Sequence, residues 1–299
     1  MPAPDKTATL KDAAALIKDG DVLAIGGHAS CGHPMAMVAE IVRQGRRKLH
    51  LAGLSNGMDF DLLIGAGCAS AVETSYVGIG DLGPAHAYRR AESGALKVIE
   101  HSETTAMARF RATAMGLPFL PTRTGLGTDL PETDPHLTPI EDPYTGEAWL
   151  AVQRIVPDVA VIHAHKADRL GNVQLDRDGW HDNSADVYIA RSARTVIVTV
   201  EQIVSEAAIK ARPIDTILPC TDVTCVVEAP YGAHPCCCDG RYDFDLAALA
   251  AYHEASATPE GLSFWIEDWV TGLGSHDAYL QKLGSKRLME ISTKRTERM

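Results

Sequence analysis

The chain has 299 residues, 45% of them hydrophobic and 22% charged, with 25 Gly and 16 Pro, the make-up of an ordered protein long enough to bury its own core. Its 39 acidic against 28 basic residues give a net charge of -11, which excludes a general attraction to nucleic acid or to an anionic membrane; a phosphate-bearing ligand must be held by local groups. No apolar run approaches the roughly 18 residues of a spanning helix, and the start of the chain lacks the basic-then-apolar plan of a signal peptide, so a cytoplasmic protein is expected. The seven cysteines (Cys31, Cys68, Cys220, Cys225, Cys236, Cys237, Cys238) are an odd number without framework spacing and read as free thiols.

Short apolar, β-rich runs alternate with amphipathic stretches, which predicts an α/β fold, a largely parallel open sheet flanked by helices. In chain order, a strand at 22–25 leads to a helix at 35–43, and strands follow at 49–54, 72–77 and 96–99. The helix at 104–115 stops at Gly116, as a helix C-terminus should. Residues 128–148, rich in Pro, Thr and Asp, read as a long loop too polar for a core element. A strand at 159–163, a helix at 186–193, strands at 195–200 and 224–227 and a helix at 244–255 complete the pattern. The chain is expected to be helical from about residue 243, closing in a basic tail at 294–298. No internal repeat divides it, so 1–299 is expected to form a single domain.

Three motif matches compete for the function. Gly78-Ile79-Gly80-Asp81-Leu82-Gly83 satisfies G-x-G-x-x-G after a strand, with Glu100 spaced for a ribose contact. Pro84 directly behind it, and Asp81 where a pyrophosphate would lie, favour an ordinary glycine-rich turn. Gly53-Leu54-Ser55-Asn56-Gly57 matches the nucleophile elbow G-x-S-x-G; such an elbow normally follows several strands, and here one confident strand precedes that of the motif. His163-Ala164-His165 and His234-Pro235-Cys236-Cys237-Cys238-Asp239 have the composition of metal ligands without the C-x-x-C or H-x-x-x-H spacing, and no metal site is expected.

The most informative segment is Asp19-Gly20-Asp21-Val22-Leu23-Ala24-Ile25-Gly26-Gly27-His28-Ala29-Ser30-Cys31-Gly32-His33-Pro34. An apolar strand runs into paired glycines, a short loop closes at Gly32 and Pro34, and a helix begins at Met35. Paired glycines let a backbone approach a ligand closely and turn its N–H groups outward, which suits an oxyanion or phosphate. The segment resembles the first signature of the family I coenzyme A transferases, in which Gly-Gly-Phe precedes Gly-x-Pro; His28 stands where that family usually has Phe. Gly116-Leu117-Pro118-Phe119-Leu120-Pro121, Pro157-Asp158-Val159-Ala160-Val161-Ile162-His163-Ala164, Ala229-Pro230-Tyr231-Gly232-Ala233-His234-Pro235 and His276-Asp277-Ala278-Tyr279-Leu280 extend the likeness, toward the A chains of glutaconate CoA-transferases, over about residues 8–290.

The resemblance implies a heteromer in which a B-type subunit carries the nucleophilic glutamate in a Ser-Glu-Asn-Gly motif. This chain has Leu54-Ser55-Asn56-Gly57 at the comparable place, with no Glu between Ser and Asn, which marks it as A-type. Coenzyme A then enters as a substrate, alongside an acyl-CoA and a carboxylic acid, and no permanently bound cofactor is implied. The pocket is expected to be shaped by Gly26, Gly27, His28, Ser30, Gly32 and Pro34, with Ser55 and Asn56 either lining it or forming a plain turn. The cluster Arg46, Arg47 and Lys48 suits CoA phosphates or, equally, a solvated helix end.

His101-Ser102-Glu103-Thr104 opens the helix that ends at Gly116. Its spacing resembles that of the A-type chain in a divergent branch, the heterodimeric CoA hydrolases that open the last steroid rings, where a glutamate at this place is catalytic. Another branch, the methylglutaconyl-CoA decarboxylases, keeps the fold and abandons transfer. Glu103 is therefore a general-base candidate; the plainer reading makes Ser102 a helix cap and Glu103 a first-turn acid facing the helix dipole.

Overall fold

The computed structural model describes residues 4–94, 96–176 and 184–296; the last residues of the predicted basic tail, 297 and 298, lie outside them. In chain order the strands are β1 (Val22–Ile25), β2 (Leu49–Ala52), β3 (Ser55–Asn56), β4 (Ala69–Thr74), β5 (Tyr76–Val77), β6 (Lys97–Glu100) and β7 (Phe119–Thr122). There follow β8 (Leu137–Glu141), β9 (Ala148–Gln153), β10 (Val159–Asp168), β11 (Val173–Gln174), β12 (Thr195–Val204), β13 (Thr216–Leu218) and β14 (Cys225–Glu228). The helices are α1 (Leu10–Ala14), α2 (Met35–Arg43), α3 (Met58–Gly65), α4 (His86–Glu92), α5 (Glu103–Ala114) and α6 (Leu130–Thr133). After them come α7 (Ser184–Ser192), α8 (Glu206–Ala211), α9 (Leu246–Ser256), α10 (Pro259–Ile266), α11 (His276–Leu283) and α12 (Ser285–Thr296).

The predicted strands pair in parallel in the order β14-β12-β10-β1-β2-β4-β6, and β11 and β13 add an antiparallel ribbon along the far half of β10. Both faces are buried, which is why the strands read as continuous apolar runs. Successive side chains alternate between the faces. Leu23, Ile25, Leu49, Leu51, Val159 and Val161 point to the side covered by α1 to α4, α9 and α10. Ala24, Ala52, Ala160, Ile162 and Ala164 point to the other, where α5 and α7 pack with Ala106, Phe110, Ile189 and Ala190. The alanines on that face leave room for α5 and α7 to sit close above the strands.

Two expectations are corrected here. Residues 128–148 are not one loop: they hold α6 and β8, and β8 is the edge of an antiparallel sheet, β7-β9-β8. Its small core is Leu137, Leu150 and Val152 against Ala108 of α5. The strand is hidden in the sequence because Thr138, Pro139 and Glu141 are exposed and a proline breaks the pattern, a residue tolerated on an edge strand because the missing N–H faces outward. The cysteines are not all free thiols either, since Cys31 and Cys237 form a disulfide. The loop after β1 brings them together: Gly32 N–H donates to Cys237 O at 2.8 Å and Cys237 N–H to Ser30 O at 2.9 Å. Cys68, Cys220, Cys225 and Cys236 are free thiols.

Candidate active site

From β1 the chain winds outward through β2, β4 and β6, then returns to the opposite side of β1 with β10, β12 and β14. The winding reverses between β1 and β10, and in open α/β sheets ligands bind beyond the carboxyl ends of the strands at such a reversal. The loop from Gly26 to Pro34 leaves β1 at that point.

Its backbone donors are turned inward. Gly26 N–H donates to Val161 O at 2.9 Å, Gly27 N–H to Asp186 Oδ1 at 2.8 Å, His28 N–H to Cys31 O at 2.9 Å and Ala29 N–H to Ser55 O at 3.0 Å. The paired glycines therefore do not present N–H groups to an oxyanion, as the sequence suggested. They are glycine because the fold crowds them. A Cβ on Gly26 would lie 2.5 Å from Asp186 Oδ1, and one on Gly27, at φ +98°, would lie 2.5 Å from the His33 ring.

A buried ion pair braces the loop from below. His33 Nδ1 lies 3.2 Å from Asp59 Oδ2, both side chains fully buried. Burial pushes the His33 pKa down, but Asp59 more than reverses this and leaves it raised. For Asp59 burial acts upward, and His33, the Gly57 N–H and Asn56 outweigh it, so its pKa is lowered. Asn56 Nδ2 donates to Asp59 Oδ2 at 2.8 Å, and Thr74 Oγ1 donates to Asn56 Oδ1 at 3.2 Å. Ser55 and Asn56 are thus scaffold: both are buried, and the Ser55 carbonyl holds Ala29. Gly26, Gly27, Gly32 and Pro34 are buried as well, while Ser30 is half-buried.

The sequence candidates that meet in a cleft are His28 and Glu103. His28 Nε2 lies 3.6 Å from Glu103 Oε1, with both side chains open to solvent. The cleft is walled by Leu54, by Thr104, Met107 and Arg111 along α5 and Met115 at its C-cap, and by Leu120 and Pro121 of β7. Ser102 does cap α5, accepting from Thr105 N–H at 3.1 Å, so the plainer reading of that residue holds while Glu103 also faces the cleft. Sequence reading misses Asp186, Asp59 and Arg111; for Asp59 the available signal is its place in the first turn of α3, two residues after Gly57.

Beside the cleft lies a second buried cluster. Arg109 Nη1 donates to Glu73 Oε2 at 2.7 Å, and His50, His101 and His136 approach the same carboxylate at 3.6, 4.0 and 3.8 Å. Burial acts to raise the Glu73 pKa, but His101, His50 and Arg109 overwhelm it and hold it far below the usual carboxylate range. His101 Nδ1 meets Asp134 Oδ2 at 2.7 Å, and Arg109 Nε donates to Gln153 O at 3.1 Å. These contacts fasten the β7-β9-β8 sheet to β4 and α5.

Gly80–Leu82 is a 3₁₀ turn, not the start of a dinucleotide-binding helix. Arg46 and Arg47 precede β2 at the opposite end of the sheet, bonding Gln44 and the Ala66 carbonyl. The potential ligand atoms of His163, Glu201 and Cys238 lie within 4.8 Å of one another. Glu201 is nevertheless supplied by protein donors: His163 Nε2 at 2.8 Å, Tyr231 N–H at 2.8 Å, Gly232 N–H at 3.2 Å and Tyr242 O–H at 2.8 Å. That group pins the turn facing the Cys31 loop. Among the described residues, no helix is long and apolar enough to cross a membrane.

Comparison with known proteins converges on one family. Residues 7–229 match the model of the coenzyme A transferases. The A-type chain of glutaconate CoA-transferase from Acidaminococcus fermentans is 36% identical, over 96% of this chain and 94% of that one. The crystal structure of that enzyme superposes with a TM-score of 0.89, covering 96% of this chain and 95% of the other. An uncharacterized protein of Archaeoglobus fulgidus is 38% identical over 96% of this chain, which spans 64% of its length. The cholesterol ring-cleaving hydrolase IpdA subunit of Rhodococcus jostii is 31% identical over 92% of this chain and 94% of its own. With the doubly wound sheet, the braced loop after β1 and these likenesses together, the chain belongs to the coenzyme A transferase family.

Proposed function

We propose that this chain is the A-type component of a heteromeric CoA-transferase that moves CoA between an acyl-CoA and a free carboxylic acid. The observation that carries the reading is Ser55-Asn56. The pair sits at the strand ends beside the loop, buried and committed to scaffold contacts, with no glutamate between its members. A B-type partner supplies the nucleophile in this reading. Its glutamate attacks the thioester carbonyl and expels CoA thiolate, leaving an acyl-glutamyl anhydride; the thiolate then attacks the glutamyl carbonyl and releases the first acid. The acceptor carboxylate reverses the sequence. The part of this chain is to hold the acyl group along α5, with His28 and Glu103 at the rim, and to help keep water from the activated intermediates.

The test is a trap. The chain co-expressed with its B-type partner and incubated with acyl-CoA should give, on borohydride or hydroxylamine treatment, a modified glutamate in the partner chain. A second reading rests on Glu103, which stands open in the cleft 3.6 Å from His28, and on the likeness to the ring-cleaving hydrolase. There Glu103 is the base for hydrolytic C–C cleavage of a CoA-linked ring. Absence of any trapped glutamyl group, together with activity that disappears in Glu103→Gln, decides for the hydrolase.

A further inference from the structure

We infer that Arg111 recognises a carboxylate at the far end of the acyl chain, so that the cleft selects dicarboxylic over monocarboxylic acyl groups; this rests on the CoA-transfer reading. Glu103, Met107 and Arg111 recur every fourth residue, with the C-cap Met115 next in the series, and form one stripe of α5 along the cleft. Arg111 is the one Lys or Arg among the described residues of that lining, set between two methionines and facing Leu120 and Pro121. Its guanidinium lies 5.1 Å from the centre of the Tyr188 ring on α7, a stacking contact that steadies the planar group and leaves its N–H edge available.

The neighbouring arginine shows what is special here. Arg109 is buried and spent on Glu73 and the Gln153 carbonyl, whereas no ion pair joins Arg111 to a carboxylate among the described residues. Arg111 follows Glu103 by eight positions, about 12 Å along the helix axis, and a helical side chain leans back toward the N-terminus. A chain of a few carbons then bridges the rim, where His28 and Glu103 stand, and the guanidinium. Its methylenes meet Met107 and Leu54, and its distal carboxylate fits the planar donor fork. The phosphates of CoA offer the same charge but bring a polar nucleotide that the methionines and Leu120 do not suit.

The experiment uses the heteromer of this chain with its B-type partner, as wild type, Arg111→Met and Arg111→Lys. Transfer is measured to glutarate and adipate against valerate and hexanoate, with CoA thioesters and their dephospho-CoA counterparts as donors. The preference in kcat/KM for dicarboxylates over monocarboxylates of equal length should fall about ten- to a hundredfold in Arg111→Met, the range of a charged hydrogen bond. Part of it should survive in Arg111→Lys. Equal losses for both acid classes, no change in either, or a loss confined to the distinction between CoA and dephospho-CoA would each overturn the inference. Calorimetric binding of glutaryl-CoA against valeryl-CoA gives a readout independent of turnover. If no acid accepts CoA yet Arg111→Met erases a glutaryl preference in binding, the transfer reading falls and the role of Arg111 stands; if transfer proceeds without a preference to lose, the reverse holds.

Discussion

Two buried charge clusters flank the cleft, and each fastens an irregular segment to the sheet. His33 with Asp59 braces the loop after β1, and Arg109 with Glu73 fastens the β7-β9-β8 sheet. Their cations differ in one respect. An imidazole that loses its partner can shed its proton and become an ordinary buried polar group, whereas a guanidinium keeps its charge at any ordinary pH. The loop after β1 thus hangs on a contact that yields to its surroundings. The outer sheet hangs on one that does not.

The largest expected effect follows from that contrast. Glu73→Ala strands Arg109 in the interior and should cost about 3–5 kcal/mol, the range for breaking a buried pair from one side. In urea titrations the loss should coincide with faster amide exchange in residues 119–153, and unchanged protection there would refute the fastening role. Gly27→Ala comes next: it combines an unfavourable positive φ with a Cβ driven against the His33 ring and backbone, and should cost about 1–3 kcal/mol. A variant as stable as the parent would mean that the loop backbone is freer than its hydrogen bonds imply.

Asp59→Asn should be milder, about 1–2 kcal/mol, because His33 can go neutral. Its loss should be seen in the loop, as increased exchange around residues 27–35, and not in β7-β9-β8. The smallest effect is the pH dependence, whose sign follows from the two shifts. The raised His33 pKa gives stability that is complete below its ordinary 6.5 and is lost as pH rises through the folded value. The lowered Asp59 pKa gives stability that is present above 3.8 and is lost as pH falls through the folded value. Unfolding measured from pH 6 to 9 should therefore show a decline that is shallower in Asp59→Asn, and parallel slopes for the two proteins would count against the pair.

The sheet is well legible in the sequence and the site in part. Strands buried on both faces need only a run of apolar residues to be visible, as in residues 159–163, and α2 is bounded to the residue because its proline start and apolar stripe are local signals. Edge strand β8 is hidden because little beyond Leu137 and Ile140 is buried in it. In the candidate site, the two residues that meet in the cleft, His28 and Glu103, could be singled out from local motif and helix position. What is not legible is the purpose of the glycines. Their crowding comes from Asp186, 159 positions on from Gly27, and from His33, whose aspartate lies on α3. Contacts of that kind are created by the topology, and one-dimensional spacing holds no trace of them.

The placement of β1 also has a consequence during synthesis. Strands β1, β2, β4 and β6 leave the ribosome in the order in which they pair, so half of the sheet can assemble early. The other edge of β1 waits for β10, whose first residue is Val159. Until then the nascent chain displays an open row of N–H and C=O groups on its most apolar strand, a template for any passing extended segment. The middle of the finished molecule is, for much of its making, an exposed border.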